Sequence, residues 1–134
     1  MKPIEGEAPM FQSLDVFRTA IAMARHAGTQ QALSAQNIAN ADTPDYRALE
    51  IPDFASTLRT EGTGMRATRD SHLHGVSALG AADPETRREA EDPNGNTVSI
   101  ELELVTATEA MRSHDRALAI YRSNLNLLRA SLGR

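Results

Sequence analysis

The sequence predicts a mainly α-helical protein with a heptad helix at each end of the chain, and these two helices are expected to pack against each other. The middle segment is predicted to be rich in loops, with at most short strands. Apolar residues recur with heptad spacing at both ends of the chain, whereas proline and glycine concentrate between them. The 134 residues include three Phe, two Tyr and no Trp. Such a scarcity of bulky side chains suits helix-on-helix packing better than a sandwich or barrel.

The first helix is predicted over residues 10–40. A seam, meaning a line of residues spaced alternately by four and three, runs along it. This N-terminal seam comprises Met10, Leu14, Phe17, Ile21, Ala24, Gly28, Gln31, Ala35 and Ile38, and beside it runs a stripe of Val16, Ala20, Met23, Ala27, Gln30 and Ser34. Two adjacent stripes predict contact with more than one neighbour. Gly28 costs ~1 kcal/mol of helix propensity, which we interpret as room for another backbone.

The second long helix is predicted over residues 99–132. Its C-terminal seam comprises Ile100, Leu104, Ala107, Met111, His114, Leu118, Tyr121, Leu125, Leu128 and Leu132. Ser99 is the predicted N-cap, and early glutamates with late arginines complement the helix dipole. We assign helix-packing and assembly roles to Leu14, Phe17, Ile21, Gly28, Leu104, Met111, Leu118, Tyr121, Leu125, Leu128 and Leu132.

Three parts are predicted around this pairing. Residues 10–40 and 99–132 form the coiled-coil core, residues 1–9 a tail, and residues 41–98 an irregular outer segment. The outer segment contains Pro52, Pro84 and Pro93, and a short strand is expected near Ala48–Ile51. The stretch DPETRREAEDPNGN at 83–96 is typical of a flexible, solvated loop.

Several kinds of chemistry find no support. There is no cysteine, which excludes disulfides and thiolate metal sites. His72 and His74 have no third ligand at a suitable spacing, and GTG at 62–64 lacks the lysine of a phosphate loop. Ser13, Asp15 and His26 do not share a helix face as a catalytic triad requires. We therefore expect neither an enzyme nor a metal, cofactor or small-molecule substrate.

Charge and hydropathy exclude further classes. The net charge is −4, and Arg112, Arg116, Arg122 and Arg129 lack interleaved aromatics, so we expect a solvated helix face and no nucleic-acid partner. His114 is expected to be a half-buried register residue. The N-terminal sequence lacks the apolar core of a secretory signal, and no stretch reaches the ~20 apolar residues of a membrane span. Any export is expected to proceed without a cleaved leader.

The stretch SAQNIANADTPDY at 34–46 ends the first helix. Asn40 is predicted to cap it in the left-handed conformation, and Pro44 holds Thr43 extended and starts a turn. We expect Tyr46 to fold onto the helix end with its hydroxyl hydrogen-bonded. Asn37 is expected to direct its amide at a neighbouring backbone.

This stretch resembles the signature NIANANTPGY of the flagellar rod and hook proteins. The matching residues are Asn37, Ile38, Ala39, Asn40, Ala41, Thr43, Pro44 and Tyr46. Asp42 replaces an asparagine and Asp45 a glycine; because aspartate tolerates positive φ better than most residues, we expect the turn to be kept. NGNTVSIELEL at 94–104 and RATRDSHLHG at 66–75 are similar to one of the two short proximal members of the family. The corresponding entry to the last helix of that member reads GNTVDLE, and this entry is what favours it over the other short member.

The resemblance implies a structural subunit of the proximal rod, the drive shaft of the flagellar basal body. It also implies that the N- and C-terminal helices pair as an antiparallel coiled coil. Such subunits are exported unfolded by the flagellar type III apparatus, without a cleaved leader, into the periplasmic space. Implied partners are copies of the chain, other rod proteins, and the membrane-embedded basal ring with its rod adaptor. Two alternatives stay open: the other short proximal rod protein, and a cytoplasmic coiled-coil adaptor or export chaperone, which would form a stable soluble dimer.

Overall fold

Two long helices dominate the computed structural model, which describes residues 8–61 and 82–133. The elements are α1 (Ala8–Ala39), β1 (Leu49–Glu50), α2 (Phe54–Glu61), β2 (Glu85–Thr86) and α3 (Ile100–Ser131). The predicted mainly α fold with paired terminal helices is therefore confirmed. His72, His74, the GTG at 62–64 and most of the predicted tail lie outside the described residues.

Helices α1 and α3 pair in an antiparallel hairpin. Near the start of α1, the carbonyl of Ser13 accepts a hydrogen bond from Asn124 Nδ2 at 2.9 Å, close to the end of α3. The rings of Phe17 and Tyr121 meet edge to face one turn further on, with centroids 5.0 Å apart. At the opposite end of the hairpin, Ser34 in α1 bonds to Glu103 in α3.

Small side chains line the contact between the two helices. Ala20 and Ala27 in α1, and Ala110 and Ala117 in α3, are at most 3% exposed. In the alignment given by the Ser13–Asn124 and Ser34–Glu103 contacts, Ala27 lies opposite Ala110 and Ala20 opposite Ala117. We call these four residues the alanine interface. Alanine lets two helix axes approach to the low end of the usual ~8–10 Å range.

The alanine interface lies one position away from the predicted seams. In α1 the buried alanines belong to the second stripe, and each is followed by a seam residue, Ile21 or Gly28. In α3 the seam residues Met111 and Leu118 likewise follow the buried alanines. The reason is steric: the two helices pack most closely where the side chains are smallest. The larger side chains then lie beside the contact and not within it.

Helix α2 is a short element that the sequence analysis did not predict. It begins after Asp53, whose Oδ2 accepts a hydrogen bond from the Ala55 N–H at 3.2 Å, as an N-cap does. His26 of α1 secures it, because the Nε2–H donates to the Pro52 carbonyl at 2.8 Å and the imidazole lies 5.4 Å from the Phe54 ring. The outer segment is thus attached to the side of α1.

The remaining local features agree with the sequence. Strand β1 falls within the expected stretch and pairs antiparallel with β2, with Leu49 opposite Thr86. Ser99 is the N-cap of α3, and its side chain accepts from the Leu102 N–H. Within residues 8–61 and 82–133, no helix is both long and apolar enough to cross a membrane.

The alanine interface yields a packing prediction. Ala110→Leu adds a larger side chain where no exposed surface remains, so overpacking should lower the free energy of unfolding by roughly 1–3 kcal/mol. Ala119→Leu, at an exposed position of the same helix, is the matched control and should change it by no more than about 0.5 kcal/mol. Urea unfolding followed by circular dichroism measures both. Equal effects at the two positions would contradict the alanine interface.

Candidate assembly site

Asn37 holds the edge of strand β1. Its side chain is fully buried; the Nδ2 donates to the Leu49 carbonyl at 2.8 Å, and the Oδ1 accepts from the Leu49 N–H at 3.0 Å. The side-chain amide therefore presents the donor and acceptor that a neighbouring strand would present. The Tyr46 hydroxyl donates to the same Oδ1 at 3.2 Å. The predicted orientations of Asn37 and Tyr46 are both confirmed.

The side chain of Glu103 is the centre of a buried polar cluster. It has no exposed surface, and its carboxylate accepts from Ser34 Oγ at 2.7 Å and from Asn37 Nδ2 at 3.0 Å. Arg87 Nη1 adds an ion pair at 2.7 Å. We call Ser34, Asn37, Arg87 and Glu103 the polar cluster. Because a buried charge is tolerated only when paired and hydrogen-bonded, these three donors explain how the carboxylate is accommodated between the helices.

Arg87 connects the polar cluster to the outer segment. Its side chain is 10% exposed and also pairs with Glu50 at 2.9 Å and Glu89 at 3.6 Å. Burial alone would lower the pKa of the guanidinium, but hydrogen bonds to Glu50 and Glu103 and the charges of Glu103 and Glu89 raise that pKa. The charge of Arg87 is therefore permanent. A flexible loop is predicted here, yet residue 87 also has a backbone attachment, from its N–H to the Ala48 carbonyl at 2.8 Å.

The turn after α1 is built differently from the prediction. The expected left-handed cap at Asn40 is wrong: among non-glycine residues of the described chain, only Asp45 has positive φ, at 58°. The last carbonyls of α1 are satisfied locally instead. The Asn40 N–H donates to the carbonyls of Gln36 and Asn37 at 3.2 and 3.0 Å, and the Ala41 N–H donates to the Ile38 carbonyl at 3.2 Å. Asn96 holds the turn that follows, because its Nδ2 lies 2.9, 2.9 and 2.8 Å from the carbonyl oxygens of Asn40, Ala41 and Thr43.

A second turn packs against the first. The Asp45 N–H donates to the Asn94 carbonyl at 3.0 Å, and Gly95 adopts a φ of 81°. Glycine is required here for its φ, and an added Cβ would also displace the exposed carboxylate of Asp45. Thr97 continues the contact, because its Oγ1 accepts from the Ala48 N–H at 2.9 Å. Asp45 adopts the positive φ that the sequence analysis expected it to tolerate.

The signature residues separate into two groups. Asn37, Asn40 and Tyr46 make the hydrogen bonds of the helix end, and the Asn40 side chain donates to the Gln36 carbonyl at 2.8 Å. Ile38 is half-buried, whereas Ala39, Thr43 and Pro44 are exposed. The sequence analysis did not single out Asn96, Thr97, Arg87 or Glu103 for this site. The only sequence signal for them is the NGNT stretch, which was used for the resemblance alone.

Both predicted seams lie on one side of the hairpin, which we call the side face. Ile21, Leu118 and Tyr121 line an open groove of about 400 Å³ there, together with Ala20, Ala24, Arg25, His114 and Ala117. Much of the seam is exposed: Leu14, Leu104, Met111 and Leu132 are 51, 57, 52 and 78% exposed. Phe17, Leu125 and Leu128 are half-buried. The hairpin alone does not cover this apolar surface.

Gly28 also belongs to the side face. An added Cβ would meet nothing within 4 Å. The close approach of another backbone, inferred from its low helix propensity, is therefore not made within the described chain. Its role in packing stays a prediction for contacts with another chain.

The three residues considered for a catalytic triad lie apart in the described part of the chain. Asp15 is exposed, and His26 is hydrogen-bonded to the Pro52 carbonyl, away from Ser13 at the Asn124 contact. In the two described stretches, no group of three or more His, Asp or Glu side chains is placed to hold a metal ion. The arginines of the α3 surface, at positions 112, 116, 122 and 129, are all exposed.

Replacing Asn37 by alanine tests its double contact with β1. Asn37→Ala would leave the Leu49 N–H and C=O without this partner, and an unsatisfied buried polar group costs ~1–3 kcal/mol. We expect the free energy of unfolding to fall by roughly 3 kcal/mol. Asn126→Ala, on an exposed part of α3, should change it by no more than about 0.5 kcal/mol. Denaturant unfolding measures the stability of both variants. An unchanged free energy of unfolding in Asn37→Ala would refute the strand-like role of its amide.

Adjacent arginines provide a test of the polar cluster. Arg87→Ala removes the ion pair of a buried carboxylate, and leaving such a charge without its partner costs ~3–5 kcal/mol. Arg88→Ala removes a neighbouring exposed arginine and should cost about 0.5 kcal/mol or less. Thermal and urea unfolding should therefore separate the two variants clearly. A similar loss in both would show that Glu103 does not need Arg87.

Comparison with known proteins identifies relatives of the chain among flagellar rod proteins. No family model matches the chain. It is 27% identical over 119 residues to the flagellar basal body rod protein FlgB of Agrobacterium fabrum, covering 84% of this chain and 88% of that protein. It is 31% identical over 107 residues to FlgB of Salmonella typhimurium, covering 72% and 77%. FlgB of Cereibacter sphaeroides is 31% identical over 112 residues, covering 78% and 83%.

These relatives match across most of their own length as well as most of this chain. The matched lengths are compatible with a chain of two terminal helices and a short middle segment. The resemblance found at residues 34–46 and 94–104 thus extends over most of the chain. The chain belongs to the FlgB family of flagellar basal body rod proteins.

Proposed function

We propose that the protein is a structural subunit of the proximal rod of the flagellar basal body. It polymerises through its terminal helices and transmits torque for motility. The side face is the observation that supports this most directly, because it exposes apolar residues that a hairpin alone leaves in water. Membership of the family supports the assignment to the rod. The side face supports assembly, because it is a surface through which subunits could join.

The side face has the properties of an assembly surface. Leu104, Met111 and Leu132 recur along one side of α3, each more than half exposed, and Ile21 approaches from α1. Large contiguous apolar surfaces on soluble proteins mark interaction sites. Burying such side chains contributes ~25 cal/mol per Å² of apolar area, so a helix of a neighbouring subunit in the groove would stabilise the assembly. Gly28 would leave room for that helix.

The polar cluster and the two turns suit the transmission of force. They tie α1, α3 and the outer segment together through Asn37, Glu103, Arg87 and Asn96. Load applied to the outer segment would then pass to the helices through hydrogen bonds and an ion pair as well as through the chain. Pro44 restricts the exposed turn further by fixing one dihedral. In a rod of many copies, this rigidity is repeated in every subunit.

The proposed location follows from the role. The rod stands in the periplasmic space, so the chain would be exported by the flagellar type III apparatus without a cleaved signal peptide. Its partners would be copies of itself, other rod proteins, and the membrane-embedded basal ring with its rod adaptor. The proposed division is a coiled-coil core of residues 10–40 and 99–132, with residues 41–98 outside. This role involves no catalysis, cofactor, nucleic acid or small-molecule substrate.

A charge on the side face tests the proposed function. Leu118→Asp places a carboxylate in the groove, where a neighbouring helix would have to bury it at a cost of several kcal/mol. We expect normal export, no complete rods and no swimming in a strain carrying only this variant. Ser123→Asp, an exposed position of α3 outside the predicted seams, should swim normally. Secretion, isolated basal bodies and swimming are measured in the same strains.

The outcomes of this experiment separate several failures. Normal swimming by Leu118→Asp would refute the side face as the assembly surface. Loss of secretion in that variant would indicate that it acts on export. Circular dichroism of the purified variant should match the parent, since Leu118 is outside the alanine interface.

A further inference from the structure

We propose that the polar contacts at the two ends of the alanine interface fix the register of the α1–α3 hairpin. The interface itself repeats every heptad: Ala20 and Ala27 lie seven residues apart, as do Ala110 and Ala117. Sliding one helix by a heptad would again place alanine against a small side chain. Small, equal contacts therefore do not distinguish one alignment from the next.

The polar contacts do distinguish them, because each occurs once. Ser34 and Asn37 donate to Glu103 at one end, and Asn124 donates to the Ser13 carbonyl at the other. A shift by one heptad in one direction would bring Glu103 opposite Ala27, which offers no donor to a buried carboxylate. A shift in the other direction would carry it beyond Ser34. Single buried polar residues set the register of coiled coils in this way.

The register also decides the shape of the side face. A helix rises 1.5 Å per residue, so a one-heptad shift moves one helix along the other by about 10 Å. Ile21 would then no longer face Leu118 across the groove, and Phe17 would lose Tyr121. Glu103 and its partners are thus positioning residues for a surface that they do not touch. The inference concerns the hairpin alone and does not depend on the rod function.

The absence of cysteine allows the register to be measured directly. Three double variants share Ala117→Cys. The native register pairs it with Ala20→Cys, and the two one-heptad shifts pair it with Ser13→Cys or Ala27→Cys. Ser13→Cys retains the backbone carbonyl that Asn124 uses. Each full-length chain is oxidised at high dilution, and intramolecular disulfide is quantified by mass spectrometry.

Glu103→Leu removes the carboxylate from each of these backgrounds. The exposed Glu109 gives the control, Glu109→Leu. We expect the 20–117 disulfide to dominate in the parent and in the control, and its ratio to the shifted disulfides to fall at least roughly tenfold in Glu103→Leu. If the native disulfide keeps its dominance in Glu103→Leu, docking of Asn96 on the turn is sufficient for register, and the proposal is overturned.

A second variant, called the relocation variant, is used in case Glu103→Leu fails to fold, as judged by loss of the helical circular dichroism signal. Glu103→Ala combined with Ala110→Glu moves the carboxylate by one heptad, so that only a shifted hairpin brings it opposite Ser34. We expect the dominant disulfide to change from 20–117 to 27–117. A native disulfide, or no preferred disulfide, in the relocation variant would overturn the proposal. A merely destabilising effect of these changes does not produce a shift in one direction.

Discussion

Burial of the Glu103 carboxylate constrains more of this molecule than any other single feature. The residue lies in the first turn of α3, where a glutamate would ordinarily remain in water and interact with the helix dipole. Here it lies between the helices, and water is replaced by a hydroxyl, an amide and a guanidinium. The hydroxyl and the amide come from the end of α1, and the guanidinium comes from the outer segment. Accommodating one charge therefore brings the helices and the outer segment into a fixed arrangement.

Asn37 extends this constraint to the sheet and the turn. The nitrogen of its side-chain amide donates to both Glu103 and the Leu49 carbonyl. The amide oxygen accepts from the Leu49 N–H and from the Tyr46 hydroxyl. A residue in the last turns of α1 thus positions the chain that returns past the helix. The polar signature residues at the helix end therefore make tertiary contacts as well as local capping contacts.

The terminal helices and the local caps could be predicted from sequence because their signals are local. Heptad spacing, Ser99 as N-cap and the positive φ tolerance of Asp45 all depend on neighbouring residues. The observed interface between α1 and α3 lies one position away from the predicted seams. The seams were assigned from the spacing of large apolar residues such as Leu, Ile and Met. A helix pair can instead close on alanine, as Ala110 and Ala117 do, and direct its larger side chains elsewhere.

The polar cluster could not be predicted in the same way. Ser34 and Glu103 are separated by 69 residues, and Asn96 reaches carbonyls more than 50 residues away. No spacing rule connects partners so distant, and a single sequence does not show which buried polar residues will meet. The false prediction of a left-handed cap at Asn40 is different, because the helix ends through local bonds from the N–H groups of Asn40 and Ala41. The contact of Asn96 with the turn that follows is the part that no local pattern indicates.

The amide of Asn37 on the edge of β1 has a consequence for aggregation. An unprotected strand edge can recruit another chain by strand addition, which leads to irregular association. On this side of β1, the Leu49 N–H and C=O are already occupied by a side chain that is itself buried. A second chain cannot dock there without displacing Asn37 and opening the polar cluster. In the proposed rod, this would direct growth away from this strand edge and toward surfaces formed by helices.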